Sequence, residues 1–238
     1  MKTSKNFAVL IVMMSLILTS CNVLGEHGNG NVIKQERNVK MFDAIDVSGA
    51  FDVLLSQGPT QSVFVEADEN LMSIIMTEVV GGTLRIENKK PIHDSKCMKV
   101  YITVPELKKI EISGAVDVET QTKFTQNELF LDVSGSTDAK LDLSVQKLNV
   151  NSSGGCKLQV MGMANTFNLD ASGAVDVQAF ELLCENVSID ISGAGKAEVN
   201  ASKEIKAGVS GAANVRYKGN PAKVWSDVSG AGSIQKVD

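Results

Sequence analysis

Eight times along this chain the tract Ser-Gly-Ala, or a near variant, returns, beginning at Ser48, Ser113, Ser134, Ser153, Ser172, Ser192, Ser210 and Ser229. From Ser113 onward the steps are 21, 19, 19, 20, 18 and 19 residues. The step from Ser48 to Ser113 is 65, close to three periods with something inserted. A fixed period of this length is the mark of stacked-repeat architectures, because one short unit cannot bury its own apolar face and a stack of them can.

The positions around each tract show what a unit is made of. One residue before the Ser stand Val47, Ile112, Val133, Ser152, Ala171, Ile191, Val209 and Val228. Five after it stand Val53, Val118, Ala139, Leu158, Val177, Ala197, Val215 and Ile234, nearly all apolar. Six after it stand Leu54, Glu119, Lys140, Gln159, Gln178, Glu198, Arg216 and Gln235, nearly all polar. Alternation with period two marks strands that bury one face. A second strand per period shows in Leu148 and Val150, Phe167 and Leu169, Val187 and Ile189.

The expectation is therefore an all-β chain, a right-handed parallel β-helix with coils of about 19 residues, right-handed because parallel crossovers are. Seven coils spaced by about 4.8 Å would make a rod of roughly 30 Å. A β-sandwich has no reason to return at this interval. Between Ser48 and Ser113 the pattern changes. Asp68 to Val80 reads as a short helix, with Leu71, Ile75 and Val79 on one stripe and Gly81-Gly82 as its stop. Such a helix would cap an open end of the solenoid.

The first residues read as targeting. Lys2 and Lys5 precede an apolar run from Phe7 to Leu18 that is too short to span a bilayer and suits a signal peptide. It ends in Leu18-Thr19-Ser20-Cys21, which resembles the lipobox of bacterial lipoproteins, so Cys21 is the expected lipidation site. The organisation that follows is a signal peptide over 1–20 and a lipidated Cys with a flexible tether over 21–31. An atypical N-terminal part with the short helix occupies 32–112, and regular repeats fill 113–238. Cys97, Cys156 and Cys184 remain, an odd number that permits one bridge at most, with nothing in the spacing to select it. Free buried thiols are the reading.

A net charge of −5 without a basic cluster argues against nucleic acid. The candidate functional feature is the outward face of the Ser-Gly-Ala strand. Two residues before each Ser lie Asp46, Glu111, Asp132, Asn151, Asp170, Asp190, Gly208 and Asp227. Four after it lie Asp52, Asp117, Asp138, Lys157, Asp176, Lys196, Asn214 and Ser233. Small Ser and Ala rows would then run between two largely acidic rows, a candidate binding face that hydration, divalent cations or a basic partner could satisfy. The Gly-rich calcium repeat of known β-helices is absent from the sequence, so no metal site is assigned and no cofactor is expected.

Catalysis is not expected either. Carboxylates abound but recur in rows, so no pair stands apart for acid–base work. His27 and His93 are the two histidines, and His93 with Cys97 would be half a metal site without a second half. Aromatic residues make up 5% of the chain, too few for the stacking platforms of a sugar-cleaving cleft.

The segment Arg37-Asn38-Val39 through Phe42-Asp43-Ala44-Ile45-Asp46-Val47-Ser48-Gly49-Ala50-Phe51-Asp52-Val53 adds a resemblance, as do Asn70-Leu71, Gly81-Gly82-Thr83-Leu84-Arg85-Ile86 and the returning tracts. Together they resemble the putative auto-transporter adhesin head (GIN) domain family, common in lipoproteins of Gram-negative bacteria, over about Val32 to Lys236. The resemblance implies a β-helical fold and a lipid-anchored place in the cell envelope, at the outer membrane. It carries no catalytic or binding residues. Two readings follow: an adhesin or binding module with a glycan or protein ligand, and a structural envelope lipoprotein with no external ligand. A polysaccharide-acting enzyme stands behind both.

Overall fold

The computed structural model describes residues 25–238. The signal peptide and Cys21 lie outside the described residues. The N-terminal part contains β1 (Glu26–His27), β2 (Val32–Glu36), β3 (Ala44–Val47), β4 (Ala50–Gln57) and β5 (Ser62–Asp68). It continues with β6 (Ile75–Val80), β7 (Thr83–Asn88), β8 (Ile92–Asp94) and β9 (Met98–Val104). The repeats then supply β10 (Lys109–Ile112), β11 (Ala115–Thr120), β12 (Phe124–Val133), β13 (Ser136–Ser152), β14 (Gly155–Ala171) and β15 (Ala174–Ile191). The last strands are β16 (Ala194–Val209), β17 (Ala212–Lys218), β18 (Lys223–Val228) and β19 (Ser233–Lys236).

From β10 onward every pairing is parallel and joins one coil to the next, which makes a β-solenoid. The tracts stack in register. The amide of Ser172 donates to the carbonyl of Ser152 at 2.8 Å, and that of Ala174 to Gly154 at 3.1 Å. Equivalent bonds recur at each tract, so the backbone ladder runs straight through the corner.

Inside, like packs on like. The row Val53, Val118, Ala139, Leu158, Val177, Ala197 and Val215 is buried from end to end. A parallel row, Leu84, Ile45, Ile110, Leu131, Val150, Leu169, Ile189 and Ala207, lines another side. Each fully buried Val, Leu or Ile contributes about 1.5–3 kcal/mol, so most of the stability lies in these rows. Cys156 and Cys184 belong to this interior as free thiols; Cys97 is also free and half-buried. Burial pushes the Cys156 thiol up to about 11 and the Cys184 thiol up to about 12, which leaves both protonated and unreactive.

Two features of the N-terminal part differ from the sequence reading. There is no helix over Asp68 to Val80. A 3-10 turn at Glu69–Leu71 is followed by β6, which pairs antiparallel with β7 through Gly81-Gly82. Both glycines have positive φ, 60° and 83°, the geometry of a two-residue hairpin turn rather than a helix stop. Leu71, Ile75 and Val79 are spaced by four, and a spacing of four satisfies a strand's alternation as well as a helix's stripe. The β-branched Ile74-Ile75 and Val79-Val80 decide for the strand.

The interval from Ser48 to Ser113 is also not three coils. β3 and β4 stack directly under β10 and β11, so the first two tracts are neighbours in space. The chain between them makes an excursion below β3 and β4, where β7 and β9 add parallel strands and β5 and β6 add antiparallel ones. Leu71, Met72 and Ile74 are buried there and plug the end of the core.

From Gly25 the expected tether is already part of the fold. β1 pairs with β8, and the buried Asp68 carboxylate accepts from the amides of Gly30 at 2.5 Å and Lys96 at 2.8 Å. Burial raises the Asp68 carboxyl, but its backbone donors, Lys96, Gly30, Cys97 and its own amide, outweigh that and hold it below the ordinary carboxylate range.

Candidate functional site: a groove along the solenoid

The two outward rows form as the alternation requires. The row before the tracts runs in register from Arg85 through Asp46, Glu111, Asp132, Asn151, Asp170, Asp190 and Gly208 to Asp227. The row after them runs from Lys99 through Asp52, Asp117, Asp138, Lys157, Asp176, Lys196 and Asn214 to Ser233. All of these side chains reach solvent at least in part.

The second row is not an acidic face. Lys157 Nζ sits 3.0 Å from Asp138 Oδ2, and Lys196 Nζ sits 3.4 Å from Asp176 Oδ1. In the first row Lys109 Nζ meets Glu111 Oε1 at 2.7 Å, and Arg85 Nε stands 3.9 Å from Asp46 Oδ2. Carboxylates stacked one coil apart repel, and these basic side chains, three from within the rows and Lys109 beside them, compensate. Among the described residues no group of three or more His, Cys, Asp or Glu side chains converges as a metal site would require. His93 lies against His27, the two rings meeting edge to face at 4.9 Å, with His27 Nδ1 2.9 Å from Asp94 Oδ1, while the Cys97 thiol donates to the Glu66 carbonyl at 3.5 Å.

The glycine of each tract has a packing task. A methyl group built on Gly114, Gly135, Gly154, Gly173, Gly193 or Gly211 would overlap the carbonyl oxygen of the tract glycine one coil below. Only glycine lets the corners approach this closely. The Ser side chains point outward at the corner, and Ser134 Oγ donates to the Ile112 carbonyl at 3.2 Å.

Between the corner and the Asp/Lys row lies a groove of about 940 Å³ that runs along the solenoid axis across several coils. Its floor is a row of small residues, Ala50, Ala115, Ser136, Gly155, Ala174 and Ala194. Asp52, Asp117, Asp138, Lys157 and Asp176 form one wall. Ser95 to Lys99 closes the end nearest the plug and also borders an adjoining hollow of about 580 Å³ lined by Asn88, Lys89, Lys90, His93 and Asp94. The sequence reading had the floor and the wall as rows. It missed the closing segment, which belongs to no repeat and carries no periodic signal.

Several solved structures resemble this one along nearly its whole length. A putative adhesin from Bacteroides fragilis superposes with a TM-score of 0.86 at 27% identity, over 90% of this chain and 100% of that one. A putative lipid binding protein from Parabacteroides distasonis gives 0.71 at 25%, over 90% and 99%. A putative adhesin from Parabacteroides merdae gives 0.61 at 20%, over 90% and 99%, a likeness of fold. No curated protein matches the sequence. Residues 41–221, which hold the first coil, the plug and the stacked repeats that build the groove, match the putative auto-transporter adhesin, head GIN domain, and the chain belongs to that family.

Proposed function

We propose that this protein is a non-enzymatic binding module of the cell envelope, lipid-anchored through Cys21 at the outer membrane, that seats an extended segment of a partner protein along its groove. The observation that carries this reading is the groove itself. Its floor of small side chains runs along several coils, and its wall presents the carboxylates of Asp52, Asp117, Asp138 and Asp176 with the ammonium groups of Lys99 and Lys157 among them. A ligand lying along the axis meets the same small-residue floor every coil, about 4.8 Å apart. The mixed charge of the wall gives no net pull on a polyanion, but it suits an extended peptide with charges of both signs. No aromatic ring stands in the outward rows of the floor or wall to stack a sugar. The family's adhesin description and its B. fragilis relative support the same reading.

The test uses the chain from Asn22, which carries the whole described fold, on immobilised extracellular-matrix proteins and on a glycan array. Capture of a matrix protein is expected, lost on Ala174→Trp, which fills the groove floor, and kept on Asp227→Asn, which lies off it. Capture that survives Ala174→Trp removes the groove from the reading. Capture of glycans alone replaces the peptide ligand, and no capture at all favours a scaffolding lipoprotein.

A further inference from the structure

The solenoid's two ends are built differently. The N-terminal end is plugged by Leu71, Met72 and Ile74. At the C-terminal end the core rows run out into solvent. Leu129, Leu148, Phe167, Val187 and Ile205 stack as one buried row, yet its next member, Val224, is 47% exposed. Val228 is 42% exposed above a buried Val209, and Trp225 is 63% exposed on the outer face. β18 pairs with β16 and β19 with β17, and within the described residues neither pairs with another strand on its far side. A row of backbone donors and acceptors therefore faces outward beside exposed apolar side chains, an edge that seeks a partner strand.

We propose that two copies of this chain join end to end through their open C-terminal coils, with β18 of one copy antiparallel to β18 of the other. This goes beyond the groove, which ends at Ala194 and Gly195 and does not include β18. The strand is complementary to itself. Its outward residues are Lys223, Trp225 and Asp227, and its inward ones are Val224, Ser226 and Val228. A two-fold axis at Trp225 sets Lys223 of each copy opposite Asp227 of the other, stacks the two Trp225 side chains, and keeps Val224 against Ser226 on the core side. Sliding by one residue sets Val224 against Asp227. Sliding by two sets Asp227 against Trp225 and leaves Lys223 without a partner. The ion pair from Lys223 to Glu204 is long, 3.9 Å, and Asp227 has none among the described residues, so both can turn to pair across the axis.

The asymmetry of the ends also selects closure. The core is covered at the N-terminal end by Leu71, Met72 and Ile74 and left open only at the C-terminal end, so two open ends satisfy each other in a two-fold dimer. Each copy then covers the apolar edge of its partner and completes its backbone ladder.

Sedimentation equilibrium of the chain from Asn22 tests this. A dimer is expected at micromolar concentration. Lys223→Asp or Asp227→Lys alone should weaken it by roughly tenfold or more, since each sets like charges opposite one another twice per dimer. The double swap Lys223→Asp/Asp227→Lys should restore it, and Trp225→Cys should cross-link two chains on mild oxidation. A chain that stays monomeric at about 100 μM overturns the proposal. So do singly charged variants that dimerise like the parent, a double swap that fails to recover, or assemblies that grow beyond two copies.

Discussion

Replacing Gly173 by Ala adds one methyl group to a corner where two coils touch backbone to backbone. The added carbon would overlap the Gly154 carbonyl oxygen, 2.9 Å from its carbon and 3.1 Å from the Ser153 oxygen. Ordinary contact needs more than 3.4 Å, so the two corners must part. Parting breaks the bonds from Ala174 N to Gly154 O and from Ser172 N to Ser152 O. Each lost bond costs about 0.5–1.5 kcal/mol, and more if its donor finds no water. With both gone the variant should lose about 3 kcal/mol, which for a chain of this size lowers the melting temperature by roughly 10 °C. Gly208→Ala is the control. Its methyl would meet the Asp190 carboxylate at 3.7 Å, an ordinary contact, and its position faces outward. Removing glycine there restricts the unfolded chain and should stabilise by up to about 1 kcal/mol. Thermal and urea denaturation of both variants separate the two cases. If Gly173→Ala melts with the parent, the corners are not in steric contact and the glycine of the tract needs another explanation.

Other expectations follow from the same geometry. Val177→Asp places an unpaired carboxylate in the buried row and should cost several kcal/mol, while Gln178→Lys, one residue on and facing outward, should change little; equal melting would mean the register is wrong. Asp68 has a lowered folded pKa, so its contribution is present above the unfolded value of about 3.9 and is lost as pH falls through the folded value. Amide exchange at Gly30 and Lys96 should therefore quicken only in strong acid, and in Asp68→Asn already at neutral pH; an acid-insensitive parent would remove the clamp. Cys21→Ser should abolish palmitate labelling and membrane retention, and equal retention would sink the lipid anchor. Asp170→Asn/Asp190→Asn removes two stacked carboxylates and should hold or raise the melting temperature at low salt. A marked loss there would show that these side chains bond the backbone.

What could be read from the residues was what stacking imposes. A row that must face the same way in every coil repeats in the sequence, so Val47 and Val53 with their equivalents announce the core, and Asp46 and Asp52 with theirs announce the outer face. The tract itself was legible as a period but not as a cause, because contact between coils joins residues about 19 apart whose closeness appears only once the fold is known. Where the repeat lapses, local signals decided, and they were ambiguous. Leu71, Ile75 and Val79 fit a helix or a strand, and Gly81-Gly82 ends either. The backward path of β5 to β9 leaves no trace in spacing, so the plug and the neighbouring positions of the first two tracts were hidden. The same logic bears on function. Positions that recur in every coil are held there by packing, and their chemistry is diluted by repetition. The segment Ser95 to Met98 over the groove and Trp225 on the open edge recur nowhere. Stacking alone does not require these side chains, so any selectivity added to the repeating groove is to be sought where its repeat is broken.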